Sequence, residues 1–121
     1  MKVAVYYNLH KHTFSLQSRN KEDYGKVIGH TEHVILKNAN YVVRQGGRDK
    51  VLQEKKKNVH AFVVGEIVEG LESPRPIEKA VTYNPYKVKS FYEVETQQPI
   101  ASSHYAILRK DVKGKPIIGA Y

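Results

Sequence analysis

The sequence predicts an α+β domain, in which a mostly antiparallel β-sheet of about six to eight strands accompanies one main helix near residues 47–57. The first 44 residues alternate apolar and polar side chains between short turns, a pattern typical of antiparallel strands. Only residues 47–57 combine many charged side chains with a narrow apolar stripe, a pattern that is typical of a short surface helix. A length of 121 residues, of which 40% are apolar, suits a single folded domain, residues 1–121.

Four strands are predicted before the helix. They cover residues 2–8, 12–18, 26–36 and 41–44. Polar turns are predicted between them, at residues 8–11, 20–26 and 37–40. Because short turns join antiparallel neighbours, we expect these four strands to form a meander.

The predicted helix follows two glycines, Gly46 and Gly47, and ends before Asn58. Its apolar stripe is narrow, with only Val51 and Leu52, so the helix needs the sheet for support. The next segment, residues 59–70, is apolar on both faces. This indicates a central strand that the helix covers on at least one side, with His60 on one face of that strand.

The last third of the chain is predicted to be rich in loops until a final hairpin. Two prolines interrupt residues 71–80, and residues 81–100 mix aromatic side chains with turn signals. Residues 103–121 are predicted to form a closing hairpin whose turn is the DVKG stretch at residues 111–114.

Several classes of protein are excluded or disfavoured by what the sequence lacks. Without cysteine there can be no disulfide, zinc–thiolate site or cysteine nucleophile. No run of about 18 apolar residues predicts a membrane span, and the N-terminus does not resemble a signal peptide, so we expect a cytoplasmic protein. No Gly-rich phosphate loop or serine-hydrolase elbow is present, and we expect no cofactor.

The strongest functional signal is positive charge. The net charge is +8, and residues 44–57 contribute half of it, with six basic and two acidic side chains. A domain this basic favours nucleic acid as a partner, and tyrosines interleaved with lysines after residue 82 favour base stacking. The residues predicted to bind nucleic acid are Arg44, Arg48, Lys50, Lys55, Lys56, Lys57, Lys11, Tyr86, Lys87 and Lys89.

The same region raises the hypothesis of a metal-independent ribonuclease. Such an enzyme needs an acid, a base and fixed positive charge at the phosphate, which histidine, lysine and arginine provide. The candidate catalytic residues are His60, Arg48, Lys57 and His10. Alternatively, His60 packs beside Phe62 in a purely structural role. The His10–His12 pair is interpreted as surface histidines, and no metal site is predicted. Whether the protein is an enzyme stays open.

Four stretches resemble a family of small phage-encoded proteins of unassigned function: NLHK…FS at residues 8–15, GKVIGH at residues 25–30, GGRDKVLQEKKKNVHAFVVGE at residues 46–66 and YNP at residues 83–85. The matching positions are Asn8 to Lys11, Ser15, His30, Gly47, Arg48, Lys57, Asn58, His60, Gly65 and Tyr83 to Pro85. The resemblance implies a phage protein in the cytoplasm of a bacterial host. That context adds a third hypothesis, an inhibitor that binds a host defence protein. No oligomeric state is predicted.

Overall fold

The computed structural model describes residues 1–68, 77 and 79–121, and this part of the chain contains nine strands and one helix. In order they are β1 (Lys2–Asn8), β2 (Thr13–Ser18), β3 (Val27–Thr31), β4 (Val34–Val43), α1 (Gln45–Glu54), β5 (Ala61–Ile67), β6 (Ala80–Thr82), β7 (Tyr92–Glu93), β8 (Ser102–Lys110) and β9 (Pro116–Ala120). The mostly antiparallel sheet with one helix is confirmed. The nine strands, which form one sheet, exceed the predicted number.

The sheet has the strand order β3-β2-β1-β5-β4-β8-β9-β6-β7, and all of its described pairings are antiparallel. Strands β1 to β3 form a meander, but the predicted third strand, residues 26–36, is divided between β3 and β4, and β4 pairs with β5 and β8 instead. The apolar strand β5 thereby lies in the interior of the sheet, between β1 and β4, as its composition predicts.

Strand β4 continues through residues 37–40, where a turn was predicted. Asn38 has φ 53°, and the register with β5 shifts between Lys37 and Asn40, so these residues form a bulge rather than a turn. Gly65 lies opposite, where an added Cβ would be 2.9 Å from the carbonyl oxygen of Lys37. The turn prediction is wrong because bulges and turns use the same residue types when the backbone needs a positive φ.

The two faces of the sheet carry different apolar clusters, and we name the face with the larger cluster inner and the opposite face outer. The inner cluster draws side chains from both halves of the sheet, including Val5, Phe14, Leu36 and Leu108. A smaller outer cluster contains Ala4, Phe62 and Val64, with Tyr6 and Val42 packed against it. The alternation predicted for β5 is therefore confirmed, because Phe62 and Val64 share one face while Ala61 and Val63 share the other.

Helix α1 begins and ends earlier than predicted. It ends at Glu54, because Lys55 adopts φ 54° and donates its backbone N–H to the carbonyl oxygen of Val51. Val51 is buried and Leu52 is half-buried, in agreement with the predicted narrow stripe. With ten residues, α1 is too short to cross a membrane, and no helix in the described ranges is long and apolar enough to do so.

The C-terminal hairpin is confirmed by the pairing of β8 with β9. Its turn is held by the Asp111 carboxylate, which accepts the backbone N–H groups of Lys113 and Lys115 and whose pKa these bonds lower. Residues 80–100 contain the short strands β6 and β7, which the sequence did not predict. The predicted break at residues 71–80 lies almost wholly outside the described residues.

Candidate functional site

The first turn of α1 packs directly against His60, next to the start of β5. A Cβ added at Gly47 would lie 2.5 Å from the Cβ of His60, whereas nothing lies within 4 Å of the corresponding position at Gly46. His60 is only 6% exposed. The absence of a side chain at Gly47 therefore permits the close approach of the helix to this histidine.

Both imidazole nitrogens of His60 are engaged. Nδ1 lies 2.6 Å from the carbonyl oxygen of Asn58, an atom that can only accept, so Nδ1 donates. In the neutral ring Nε2 then accepts a hydrogen bond from the Tyr83 hydroxyl at 2.8 Å. The two rings meet edge to face, with centroids 5.4 Å apart. No nitrogen faces solvent to exchange a proton with a substrate, and this geometry agrees with the structural interpretation of His60.

Arg48 joins the helix to the segment that carries Tyr83. Its Nε donates to the carbonyl oxygen of Pro85 at 3.1 Å, and the residue is half-buried. Burial raises the pKa of the Tyr83 hydroxyl, while the positive charge of Arg48 acts in the opposite direction. Tyr83 is therefore protonated at neutral pH and can donate to His60. Arg48 therefore links α1 to residues 83–85 through this hydrogen bond.

The described contacts do not join the four candidate catalytic residues into one network. Tyr83 connects Arg48 with His60, whereas Lys57 and His10 are exposed, the former after α1 and the latter between β1 and β2. Within the described residues, no hydrogen bond or ion pair joins the side chain of Lys57 or His10 to His60. The predicted ribonuclease arrangement around His60 therefore finds no geometric support.

A second polar network connects β1, β2 and β3. Asn8 Oδ1 accepts the backbone N–H groups of His10 and Lys11, which closes the turn after β1. Asn8 Nδ2 donates to the buried Ser15 hydroxyl at 3.2 Å, and the same hydroxyl lies 2.9 Å from Nδ1 of His30. The ammonium group of Lys11 donates to Nε2 of His30 at 3.3 Å, so Nδ1 carries the ring proton and donates to Ser15.

The pairing of Ser15 with His30 was missed as a contact, although both residues belong to the stretches that resemble the phage family. The register supplies the reason, because Ser15 and His30 are directly opposite each other on β2 and β3. Their separation of 15 residues along the chain conceals this contact. No group of three histidine, aspartate or glutamate side chains in residues 1–68, 77 and 79–121 could hold a metal ion.

The predicted basic residues around α1 are mostly exposed. Arg44 precedes the helix, Lys50 lies within it, and Lys55, Lys56 and Lys57 follow it. None of the ion pairs in the described part of the chain includes a cation from residues 44–57, since those pairs use Lys37, Lys79 and Lys110. No described carboxylate therefore forms an ion pair with these cations.

The predicted aromatic and basic residues after β6 lie beside α1. The Gln45 side chain donates to the carbonyl oxygen of Lys89 at 3.0 Å, which ties the first turn of the helix to this loop. Asn84 shapes the loop, because its side chain accepts the N–H of Tyr86 and its carbonyl oxygen accepts that of Lys87. Tyr86 is 66% exposed. Tyr86, Lys87 and Lys89 are thus exposed next to the basic helix.

Comparison with known proteins agrees with the resemblance seen in the sequence. The family model of the Mycobacterium phage L5 gene 82 protein matches residues 1–114. The chain belongs to this family. The Gene 82 protein of Mycobacterium phage L5 is 39% identical over 105 residues, which is 82% of each chain. No solved structure matches. The family is one of phage proteins, and the match covers every part of the fold up to the last turn.

Most of the positions that carry the family resemblance lie in the two polar networks and at the bulge, whereas the matching Leu9 and Lys57 are exposed. Asn8, Lys11, Ser15 and His30 form the network of β1 to β3. Gly47, Arg48, Asn58, His60, Tyr83 and Pro85 form the junction between α1 and the sheet, and Gly65 faces the bulge of β4. In this gene 82 family member, the motif residues therefore have identifiable structural roles.

Proposed function

We propose that this gene 82 family protein binds nucleic acid through a basic surface made of the exposed cations around α1 and the adjoining loop. The basic surface contains Arg44, Lys50, Lys55, Lys56, Lys57, Tyr86, Lys87 and Lys89. The observation that carries this proposal is the concentration of exposed cations without a described carboxylate partner. A group of unneutralised cations attracts a polyanion and releases its counterions on binding.

The link between helix and loop strengthens the proposal. Because Gln45 binds the backbone of Lys89, the cations after β6 are held next to those of α1 and act on one ligand. Tyr86 adds an exposed ring on which a base can stack, which favours single-stranded nucleic acid. The half-buried Arg48 supports the surface from below, since its side chain holds the helix against Pro85.

Fluorescence anisotropy with short labelled DNA and RNA, across a series of salt concentrations, tests this proposal. We expect the logarithm of the association constant to fall linearly with the logarithm of salt concentration. The double variant Lys56→Ala, Lys57→Ala should reduce the slope by about 1.5, because each phosphate contact contributes roughly 0.7 to 0.9. The matched control is Lys113→Ala, Lys115→Ala, which removes two exposed lysines from the β8–β9 turn.

Two outcomes would contradict the proposal. One is the absence of salt-dependent binding to any DNA or RNA, and the other is an equal loss of affinity in the two double variants. The hypothesis of a host-defence inhibitor stays a prediction that rests on the phage context. It predicts a protein partner that is retained from host lysate after nuclease treatment, even when the purified protein binds no nucleic acid.

A further inference from the structure

An arginine covers the aromatic pair on the outer face of the sheet. Phe62 and Tyr6 meet edge to face, with centroids 5.8 Å apart and an angle of 84° between the rings. The guanidinium carbon of Arg44 lies 5.1 Å from the centroid of Phe62. Phe62 is only 1% exposed, whereas Arg44 is exposed, so the ring supports a guanidinium that keeps donors in solvent.

A second arginine is held in the same way by the hairpin between β2 and β3. The guanidinium carbon of Arg19 lies 4.9 Å from the centroid of the Tyr24 ring, and Nη1 of Arg19 donates to the Tyr24 hydroxyl. The turn that positions Tyr24 is closed by Gly25, whose φ is 83° and whose N–H donates to the carbonyl oxygen of Ser18.

These two arginines lie over the same apolar cluster, because Arg19 lines a concavity with Val42 and Val64, and these valines pack with the Phe62 ring that carries Arg44. Burial lowers the pKa of Arg19, and the positive charge of Arg44 lowers it further. Neither arginine takes part in an ion pair within residues 1–68, 77 and 79–121. Asp23 accepts a hydrogen bond from Ser18, and Glu66 pairs with Lys37. The repulsion between the guanidinium groups is thus uncompensated there, and an anion between them would relieve it.

A concavity of about 450 Å³ lies beside the arginines. Its walls are the side chains of Lys2, Arg19, Tyr24, Asn40, Val42 and Val64. The two valines are apolar, and the other four side chains provide two cations, a phenol and an amide. Ligand pockets in proteins commonly combine an apolar lining with a few polar groups in this way, over volumes of roughly 300–1,000 Å³.

We propose that Arg19 and Arg44 together bind one phosphate group of a single-stranded nucleic acid, while the adjoining base occupies the concavity. Two guanidinium groups offer planar sets of donors that suit phosphate oxygens. A base can enter the concavity only when it is unpaired, and there the ring of Tyr24 and the amide of Asn40 face it. The nucleic-acid origin of the phosphate rests on the function proposed above, whereas the phosphate site itself does not.

Two measurements on the intact protein test this inference. In the first, the affinities for a single strand and for its duplex are measured for the variants Arg19→Gln and Arg44→Gln. We expect each variant to lose roughly tenfold in single-strand affinity, as expected for one charge-assisted contact, with a smaller loss for the duplex. The control is Lys21→Ala, which removes an exposed cation from the same hairpin. Thermal unfolding verifies that every variant is folded.

In the second measurement, inorganic pyrophosphate is added while the side-chain N–H signals of the arginines are followed by NMR. We expect the Arg19 and Arg44 signals to shift and to saturate over the same range of pyrophosphate concentration. If single strands bind but both glutamine variants behave like Lys21→Ala, the phosphate site is refuted and the basic surface stands. If pyrophosphate shifts both signals but no nucleic acid binds, the phosphate site stands and the proposed function fails. If neither pyrophosphate nor nucleic acid affects them, both proposals are overturned.

Discussion

Replacement of Gly47 by alanine measures how tightly α1 is docked on the sheet. The new methyl carbon would lie 2.5 Å from the Cβ of His60, so the two must separate by roughly 1 Å to reach ordinary contact. The Cβ of His60 cannot rotate away, because it is attached to the backbone and both ring nitrogens are held by hydrogen bonds. The helix itself must therefore shift.

The expected change in stability follows from two opposing effects. Overpacking of a fixed site destabilises by about 1–3 kcal/mol. Alanine stabilises a helix relative to glycine by up to about 1 kcal/mol. Subtraction of this gain from the cost leads us to expect that Gly47→Ala lowers the free energy of unfolding by up to about 2 kcal/mol. Gly46→Ala, in the same turn with nothing within 4 Å of the new carbon, should leave stability unchanged or raise it.

Urea denaturation followed by circular dichroism provides the assay, with both alanine variants measured beside the parent protein. The difference between the Gly46 and Gly47 variants should be about 1–3 kcal/mol, since the gain in helix propensity is common to both. Equal unfolding free energies for the two variants would refute the close packing of α1 on His60. That result would also leave no packing reason for a glycine at position 47.

Three further outcomes are expected. Tyr83→Phe leaves the buried Nε2 of His60 without a donor and should destabilise by about 1–3 kcal/mol in urea denaturation, whereas the exposed Tyr86→Phe should change little. The pKa of Tyr83 is raised in the folded state, so the stability that its protonated hydroxyl contributes is complete below pH 10.0 and is lost at higher pH. The Tyr83→Phe variant should therefore lose less stability than the parent protein as the pH rises above this value. Ser15→Ala removes the acceptor of the His30 ring N–H and should lower the free energy of unfolding by roughly 1 kcal/mol in urea denaturation.

Much of the sheet was predictable because its strands alternate. β1, β2, β5 and the β8–β9 hairpin are confirmed, since side-chain period depends on local sequence alone. The path of β4 was not predictable from the same signals. Its pairing with β8 joins residues more than 60 positions apart, and the bulge at Asn38 uses the residues of a turn. Long-range pairing decides whether such a stretch reverses the chain or continues the strand.

The candidate site was also only partly predictable from the sequence. The charge of residues 44–57 was visible in composition, but the end of α1 was not, because Lys55 adopts a left-handed conformation that lysine rarely uses. The junction of Gly47, His60 and Tyr83 depends on contacts across 13 and 23 residues. The sequence therefore indicates His60 as a catalytic candidate, because it does not reveal the two hydrogen-bond partners of the ring.

The motif residues and the proposed binding residues largely occupy different parts of the molecule, with different consequences for mutation. His60 and Gly47 hold α1 on the sheet, whereas Arg19 and Arg44 lie outside the stretches that resemble the phage family. Loss of a motif residue changes stability and, through the position of α1, alters all contacts of the basic surface together. Loss of Arg19 or Arg44 should change phosphate binding while the fold persists. Affinities that are corrected for the fraction of folded protein separate these two effects. A stabilising osmolyte should restore to Gly47→Ala only the part of its affinity that was lost through unfolding, and it should restore none to Arg44→Gln.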